Sequence, residues 1–575
     1  MMKKIFFSLL LGCTAFLLSC GGDSVDTDNP IENKKKNDQT ILFAETEKFT
    51  TLDPIKIVDV VSFHVAEQIF EGLVRFDEKD LSLQPSIAKS WNVDDKKQVY
   101  TFKLRKGIYF HANDCFEDKK GRELKSSDVL YSFKRMYSNT KGNYAATAFK
   151  GKVLGGESFY NDTTTAFNEK ELQGVKIIDD YTIEISLTQP YVSFLELVST
   201  MSASIVAKEA IDKNEIVGTG PFVYDKAKDV DSQISLTKNK NYYLKDSKGV
   251  QLPYLEGVVF KYVKSSQKQM DLFLAGELDV VTGLPPTGVK DMVNNQIADF
   301  QDKPVKYVLG SYPEMATTYL SLNNLVAPFN NKKVRQAFAM AIDKNKILEE
   351  VLKGEAFGVA NNGIVPPAIA HYDYSSVVGL EFNIIKAKEL LKEAGYPDGK
   401  DFPPVTLTSS KSNNSVRTAL NIQKQILANL NISIEIESFP LAEVIAKERK
   451  GETEITLSSW LAEFPDPISF LSLYYGADLP KNIGEVSHLN RSRCSNAAYN
   501  SLYLKTISTI DRKRKYEMCL ELDQIIANDV PAIPLWYHEN FRLIQGEVKN
   551  YQPNTMNIHY LANVKVKRIV ITTEE

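Results

Sequence analysis

The chain has 575 residues, of which 43% are hydrophobic, 25% are charged and 10% are aromatic, a globular composition that excludes wholesale disorder, a collagen helix and a long coiled coil. The formal net charge of −4 at pH 7 gives no reason to expect a basic face, so we predict no nucleic-acid partner. A single hydrophobic core stops growing near about 250–300 residues, so the length predicts at least two lobes, each with its own core.

The first nineteen residues have the pattern of a secretory signal peptide. A basic start precedes an apolar run over residues 5–18, which is shorter than the ~20 residues that a membrane span needs. The run ends in Leu-Leu-Ser-Cys20, which resembles a bacterial lipobox, so we predict that residues 1–19 are removed and that Cys20 is lipidated. The polar segment 20–40 is then a disordered tether to a membrane of the cell envelope.

The remaining cysteines and the histidines carry few signals of chemistry. Cys115, Cys494 and Cys519 follow the tether, and because exported proteins fold in an oxidising compartment, we favour a disulfide between Cys494 and Cys519. The six histidines are scattered without the spacing of a zinc site, so we expect no metal site and no cofactor.

Strand and helix signals alternate along the rest of the chain. Alternating apolar residues predict strands at 99–105 and 183–187. Apolar residues at helical spacing predict one helix over 332–353. A second helix begins at an Asn383 cap and ends at Gly395.

Residues 405–438 form one predicted unit. A strand at 405–408 precedes a helix lined by apolar residues from Val416 to Leu430, and the strand 432–438 follows. Such a β-α-β crossover implies two parallel strands and a crevice near their carboxyl ends. The predicted fold class is therefore α/β.

Eleven short motifs stand in a fixed order along residues 41 to 565. They are Thr51-Leu-Asp-Pro54, Phe70-Glu-Gly-Leu-Val-Arg-Phe-Asp77, Pro85-Ser-Ile-Ala-Lys-Ser-Trp91, Tyr100-Thr-Phe-Lys-Leu-Arg-Lys-Gly107, Leu124-Lys-Ser-Ser-Asp-Val129, Gly218-Thr-Gly-Pro-Phe222, Asn241-Tyr-Tyr243, Gly276-Glu-Leu-Asp279, Val334-Arg-Gln-Ala337, Ala387-Lys-Glu-Leu-Leu-Lys-Glu-Ala-Gly395 and Asp529-Val-Pro-Ala-Ile-Pro-Leu535.

With these motifs in this order, the chain resembles the family 5 extracellular solute-binding proteins of ABC importers, the peptide- and nickel-binding group. The resemblance implies a two-lobed, type II periplasmic-binding-protein-like α/β fold with a third, inserted subdomain. Two crossing strands would join the lobes and the solute would be enclosed between them. The implied ranges are 41–73, 206–282 and 534–575 for the sheet domain of lobe 1, 74–205 for the inserted subdomain, and 283–533 for lobe 2.

The resemblance also implies a function. The chain would be a lipid-anchored, periplasmic substrate-binding protein, monomeric and not an enzyme, that captures oligopeptides and delivers them to ABC permease subunits. A non-peptide solute such as a metal chelate, haem, a sugar or an opine stays open as an alternative. An envelope peptidase is a distant alternative, because the sequence has neither a Gly-x-Ser-x-Gly nor a His-Glu-x-x-His motif.

Oligopeptide-binding members of the family add the ligand as a strand to two stretches of backbone. By resemblance these stretches are Val58, Asp59 and Val60, and Ser459, Trp460 and Leu461. Glu463 stands where the family usually has Asp, and its carboxylate would pair with the α-ammonium of the peptide. Because Glu is one methylene longer, the ligand would sit shifted or be a different amine.

The resemblance defines the remaining contacts less closely. A ligand carboxylate would meet Lys411, in the loop after the strand 405–408, with Lys447, Arg449 and Lys450 as alternatives. Family members place ligand-facing aromatic residues where this chain has Trp536, Tyr537 and His538, although the same segment also fits a core strand. Tyr144, from the inserted subdomain, is a further candidate.

Overall fold

The computed structural model describes residues 39–568 except 150, 283, 285–299, 301–304, 478 and 481. The predicted signal peptide, the lipidation site Cys20 and nearly all of the predicted tether lie outside the described residues. Within the described residues, no helix is both long enough and apolar enough to cross a membrane.

The described strands form one large mixed sheet and three small antiparallel sheets. Numbered in chain order, they are β1 (Thr40–Glu45), β2 (Val74–Phe76), β3 (Leu83–Pro85), β4 (Ala88–Val93), β5 (Val99–Leu104), β6 (Val175–Asp179), β7 (Thr182–Ser186), β8 (Phe222–Tyr224), β9 (Gln233–Lys238), β10 (Gly257–Tyr262), β11 (Val280–Thr282), β12 (Tyr307–Leu322), β13 (Gly358–Val359), β14 (Thr406–Ser410), β15 (Glu435–Phe439), β16 (Ile455–Leu461), β17 (Ala532–Gln545), β18 (Val548–Lys549) and β19 (Lys565–Val566).

The described α-helices pack against these sheets or against one another. They are Val60–Ala66, Ser126–Met136, Ala145–Phe149, Gly156–Asn161, Phe194–Leu197, Lys208–Asp212, Ser266–Leu274, Lys332–Ala341, Lys344–Lys346, Ile384–Glu393, Asn413–Leu430, Leu441–Lys450, Ile468–Leu471, Ala497–Ser508 and Arg512–Asp529.

The two longest strands, β12 and β17, lie at the centre of the large sheet and pair with each other antiparallel. The sheet order is β15-β14-β16-β12-β17-β11-β1-β10-β9-β8, with β13 on β17. The first half of β12 lies in the half of the sheet that contains β11 and β1, and its second half pairs with β16. A register irregularity between Pro313 and Thr317 separates the two halves. These are the two crossing strands that the family resemblance implies.

Residues 405–438 fold as the predicted β-α-β unit. Strands β14 and β15 are parallel, with Leu407 opposite Ile436. The helix between them begins after Ser412, whose side chain accepts a hydrogen bond from the N–H of Ser415. The second strand begins at Glu435 rather than 432, and the buried residues Ile432 and Ile434 precede the ladder.

The single helix predicted over 332–353 is interrupted in the structure. Ile342 adopts an extended conformation, and the Asp343 side chain accepts hydrogen bonds from the N–H groups of Asn345 and Lys346. Asp343 therefore starts a new turn as a cap, and a π-helix follows at Ile347–Leu352. The next predicted helix has its expected ends, with Asn383 as the cap and Gly395 at φ +99°.

Residues 88–186 contain a separate four-stranded antiparallel sheet of order β4-β5-β7-β6. Its core includes Phe102, Phe133 and Ile183, all fully buried. The same hydrophobic cluster continues into the helices Ala497–Ser508 and Arg512–Asp529. A separate sheet is thus present in the range where the insertion is expected, while the inserted subdomain itself, with its bounds 74 and 205, stays a prediction.

The predicted disulfide between Cys494 and Cys519 is wrong, since Cys115, Cys494 and Cys519 are all free thiols. Cys519 is buried on the helix Arg512–Asp529, whereas Cys494 lies in a loop with its Sγ 3.7 Å from the carbonyl oxygen of Tyr474. Burial raises the pKa of both thiols, that of Cys494 to about 11, so both stay protonated and unreactive at neutral pH.

A buried ion pair joins the loop after β16 to the helix Arg512–Asp529, and its lysine also reaches the segment that is predicted to be the inserted subdomain. The Nζ of Lys515 lies 2.5 Å from Asp466 Oδ2, and the two side chains are 3% and 7% exposed. Lys515 also donates a hydrogen bond to Ser193 Oγ at 2.7 Å. Asp466 in turn accepts a hydrogen bond from the N–H of Ile468, so it shapes the turn as well.

We expect Asp466→Ala to lower the free energy of unfolding by about 3–5 kcal/mol, because Lys515 would stay buried without a counter-charge. The matched control is Lys332→Ala, which breaks an exposed pair with Asp529 and should cost at most about 1 kcal/mol. Urea denaturation of the two variants measures both values. Equal losses would show that the buried pair does not hold these segments together.

Candidate functional site

A cavity of about 1170 Å³ lies between the two halves of the structure. Its walls come from the start of the helix Val60–Ala66, from β16 and the loop after it, from the helix Leu441–Lys450, and from the C-terminal segment around His559. Binding sites for small molecules usually measure about 300–1,000 Å³. This cavity is therefore large enough for a ligand of several residues.

One edge of β16 faces this cavity without a full partner strand. The N–H of Ala462 donates to the carbonyl oxygen of Met315 in β12, at 2.8 Å. Because backbone groups alternate along a strand, those of Ser459 and Leu461 point to the opposite edge. On that edge β14 pairs with β16 only at Ile455 and Thr456. The structure thus leaves the predicted stretch Ser459, Trp460 and Leu461 at an edge that can accept another strand.

The other predicted stretch is only partly extended. Asp59 has strand-like dihedral angles, but it caps the helix that begins at Val60, and its carboxylate accepts from the N–H and Oγ of Ser62, each at 2.8 Å. The Asp59 side chain is therefore engaged within the protein. Val58 and Val60 line the cavity and are 54% and 41% exposed, so this stretch offers apolar surface and the first helical N–H groups rather than a regular strand edge.

Glu463 projects from the loop after β16 and lines the cavity. Its side chain is exposed to the cavity but surrounded by protein, and this loss of water raises the pKa of its carboxyl, an effect that the positive charges of Arg491 and Arg449 partly offset. The loop is fixed by a hydrogen bond from the N–H of Glu463 to Ser469 Oγ at 2.9 Å. The backbone of the loop is thus fixed at the point where the Glu463 side chain lines the cavity.

Two arginines flank this carboxylate. Arg491 is paired with the buried Glu448, at 3.2 Å between Nη1 and Oε2, and its guanidinium lies 5.5 Å from the centre of the Trp460 ring. The Trp460 indole donates to the carbonyl oxygen of Ser469 at 2.9 Å. Arg449 stacks on Tyr144, 4.9 Å from the ring centre. Sequence reasoning did not identify Arg491, because this residue comes from a loop distant from the motif that contains Trp460 and Glu463.

Successive side chains of β17 point to opposite faces of the sheet. Trp536 and His538 line the cavity, and His538 Nε2 lies 2.7 Å from Thr318 Oγ1, which is itself 2.6 Å from Ser459 Oγ. Burial lowers the pKa of His538, with Glu314 opposing this effect, so His538 is neutral at pH 7. Tyr537 points the other way, is fully buried and donates to the carbonyl oxygen of Gly363.

The four basic residues considered for a ligand carboxylate differ in their position relative to the cavity. Lys411 is exposed and is not among the described residues that line the cavity. Lys447 lies over the Phe439 ring at 4.8 Å, and Lys450 lies 3.8 Å from Glu452. Of the four residues considered for a ligand carboxylate, Arg449 alone lines the described cavity.

Beneath the cavity wall, Glu45, His64 and His559 bring potential metal ligands together. One ligand atom of each lies within 4.8 Å of the others, and all three residues are buried. His64 already bonds Glu45 Oε1 through Nδ1 at 2.7 Å and the carbonyl oxygen of Asn557 through Nε2 at 3.1 Å. His559 Nδ1 lies 2.8 Å from the hydroxyl oxygen of Tyr551. The cluster is thus part of a buried polar network, and the absence of a metal stays a prediction.

Comparison with known proteins gives consistent relatives. Residues 82–481 match the family described as bacterial extracellular solute-binding proteins, family 5. The chain is 26% identical over 566 residues to the dipeptide-binding protein DppE of Bacillus subtilis, with 95% of this chain and 96% of that protein covered. It is 28% identical over 565 residues to haem-binding protein A of Haemophilus influenzae, with 94% and 95% covered.

Solved structures show the same architecture. The ABC transporter-associated periplasmic binding protein DppA from Helicobacter pylori, in complex with the peptide STSA, has a TM-score of 0.75 at 26% identity and covers 92% of this chain and 98% of its own. A periplasmic oligopeptide-binding protein from Borrelia burgdorferi has a TM-score of 0.74 at 26% identity, with 92% and 100% covered. The predicted two-lobed α/β fold is confirmed.

We expect Arg449→Gln to raise the pKa of Glu463 further above its usual value, because the substitution removes a cation that stabilises the carboxylate. A ¹³C NMR titration of the side-chain carboxyl, assigned with Glu463→Gln, measures the shift. Lys447→Gln on the same helix is the control and should leave the pKa unchanged. An unchanged or lower pKa in Arg449→Gln would contradict the arrangement of charges.

Proposed function

The chain belongs to the bacterial extracellular solute-binding proteins of family 5, and we propose that it captures oligopeptides in its cavity and delivers them to ABC permease subunits. The named relatives include a dipeptide-binding protein, and one of the solved structures holds a peptide. Since the family consists of substrate-binding proteins, we assign the chain no catalytic role.

One observation carries this proposal: the open edge of β16 and the carboxylate of Glu463 line the same cavity. An enclosed peptide loses water from its backbone N–H and C=O groups, and each group left without a partner costs about 1–3 kcal/mol. Addition of the peptide as a strand satisfies these groups without reading the side chains. Glu463 then receives the α-ammonium, which could not be enclosed without a counter-charge.

The proposed contacts follow from the lining of the cavity. Strand addition uses Ser459 and Leu461, while Val58 and Val60 supply an apolar wall. The aromatic faces come from Trp460, Trp536 and Tyr144, with His538 beside them. Asp59 acts through its cap on the helix, and Lys411 and Tyr537 are not included in the contact set because their side chains lie outside the described lining.

Delivery requires that the ligand favours one arrangement of the two lobes. A ligand shifts such an equilibrium only by its difference in affinity for the two states, and contacts from both sides of this cavity provide that difference. We also propose that the protein is a monomer in the periplasm. It would be anchored through lipidated Cys20, which lies outside the described residues. The mass of the mature N-terminal fragment tests the anchor, and an unmodified or absent Cys20 would overturn it.

We expect Glu463→Gln to weaken the binding of a tripeptide such as Ala-Ala-Ala by roughly tenfold to a hundredfold, because the charged hydrogen bond to the ammonium is lost. Isothermal titration calorimetry on the full chain measures this change. The affinity of the wild-type protein for the tripeptide should also fall as the pH drops through the raised pKa of Glu463, because only the ionised carboxyl pairs with the ammonium.

Two controls make this experiment decisive. Glu443→Gln removes an exposed carboxylate of the helix Leu441–Lys450 that is not in the described lining and should not change affinity. N-acetylation of the peptide should cost as much as Glu463→Gln in wild-type protein and little in the variant. If peptides do not bind while haem binds with a shifted Soret band, the proposal is wrong and a non-peptide solute is the cargo.

A further inference from the structure

A contact outside the described lining of the cavity joins the small sheet β4–β7 to the half of the structure that contains β16. Ser193 and Val192 follow β7 in the chain. The Oγ of Ser193 accepts a hydrogen bond from Lys515 Nζ at 2.7 Å, and Val192 donates its N–H to the carbonyl oxygen of Ile507 at 3.1 Å. Lys515 and Ile507 lie on two helices that follow β16 and pack on each other.

The small sheet itself is attached to the other half, which contains β1. The N–H of His111, which follows β5, donates to the carbonyl oxygen of Gly218 ahead of β8, at 2.9 Å. The N–H of Val206 donates to Ser132 Oγ at 2.9 Å, and Val206 belongs to the hydrophobic cluster around β1. Ser193 therefore reaches from the β1 half of the structure to the β16 half.

On the β16 side, this contact is connected to the loop that carries Glu463. Asp466 forms the ion pair with Lys515, and its carbonyl oxygen accepts from the N–H of Ser469 at 3.0 Å. The Oγ of Ser469 in turn accepts from the N–H of Glu463 at 2.9 Å. One short loop thus holds a carboxylate in the cavity lining and a second carboxylate at the contact with Ser193.

The contact contains charged groups that have lost water. The side chains of Lys515 and Asp466 are both buried. Glu196 Oε2, from the same segment as Ser193, is also buried and has no hydrogen-bond partner among the described residues. Burial and the charge of Asp466 raise the pKa of Glu196, and Lys515 partly offsets this effect. Separation of the two halves would return water to these groups, so the contact is suited to opening rather than to permanent packing.

We propose that Ser193, Lys515 and Asp466 form a closing contact, which stabilises the arrangement that encloses a ligand without touching the ligand. None of these three side chains is among the described residues that line the cavity. The Ser193 hydroxyl favours closure because it replaces water on the Lys515 ammonium, whereas the ionised Glu196 opposes closure. The inference rests on the proposed function, and it makes Ser193 and Lys515 positioning residues that set affinity through the population of the closed arrangement.

Substitutions of Ser193 and Glu196 should change the affinity in opposite directions. Calorimetry on the full chain with Ala-Ala-Ala should show roughly threefold to thirtyfold weaker binding by Ser193→Ala, because the closed arrangement loses a charged hydrogen bond. Glu196→Gln should bind roughly twofold to tenfold tighter, because closure no longer buries that charge. Each factor should be the same for the N-acetylated peptide, since neither residue touches the ligand.

The matched control is Ser138→Ala. Ser138 is also buried, but its Oγ donates to the carbonyl oxygen of Arg135 at 2.8 Å, so this hydrogen bond stays within one segment of the chain. The control should lower the melting temperature and leave the affinity unchanged. Thermal melts of all three variants show that each is folded.

Small-angle X-ray scattering tests the closing contact without any ligand. The ligand-free Ser193→Ala variant should have a larger radius of gyration than ligand-free Glu196→Gln, because one substitution favours opening and the other favours closure. Saturating Ala-Ala-Ala should remove the difference.

Different results overturn different conclusions. Affinities that match wild type in both folded variants, or equal radii of gyration without ligand, overturn the closing contact and leave peptide capture intact. Unequal factors for the free and N-acetylated peptides also overturn it, because the residue would then act on the amine site. If no peptide binds while the two radii differ as expected, the proposed function is wrong and the closing contact stands.

Discussion

The antiparallel pairing of β12 with β17 is the constraint on which the rest of the structure depends. Both strands are long enough to belong to two halves of one sheet, and the irregularity after Pro313 separates these halves. Because β16 pairs with the second half of β12, the register of that ladder decides which backbone groups point toward the cavity. The hydrogen bond from Ala462 to Met315 sets this phase and directs Ser459 and Leu461 to the open edge.

The charges that are available in the cavity are those of side chains that the fold has not already paired. Glu448 forms an ion pair with Arg491, and Asp59 accepts a hydrogen bond as the cap of its helix. Among the described charges around the β16 loop, Glu463 and Arg449 form no ion pair with another described residue. Partial loss of water keeps both charges strong, because few solvent dipoles remain to screen them.

Much of this arrangement was predictable from the sequence. The β-α-β unit and the Asn383 cap follow from local periodicity and capping chemistry. The family resemblance pointed to Glu463, which lines the cavity. Other features depend on distant contacts. At Asp343 a single capping side chain interrupts the helix that a continuous apolar stripe predicts. Arg491 contacts Trp460 from a loop whose sequence has no local signal. Tyr537 and Trp536 are adjacent in the sequence, and only the orientation of β17 decides which one meets the cavity.

The position of β17 has a consequence for how the chain becomes folded. This strand is synthesised near the end of the chain, yet it separates β11 from β12 in the middle of the central sheet. Residues as far apart as Gln39 and Val566 are joined by a hydrogen bond. The sheet therefore cannot close until almost the whole polypeptide has emerged, and earlier segments wait with their strand edges unpaired. Removal of β17 would therefore leave the facing edges of β11 and β12 without a partner strand.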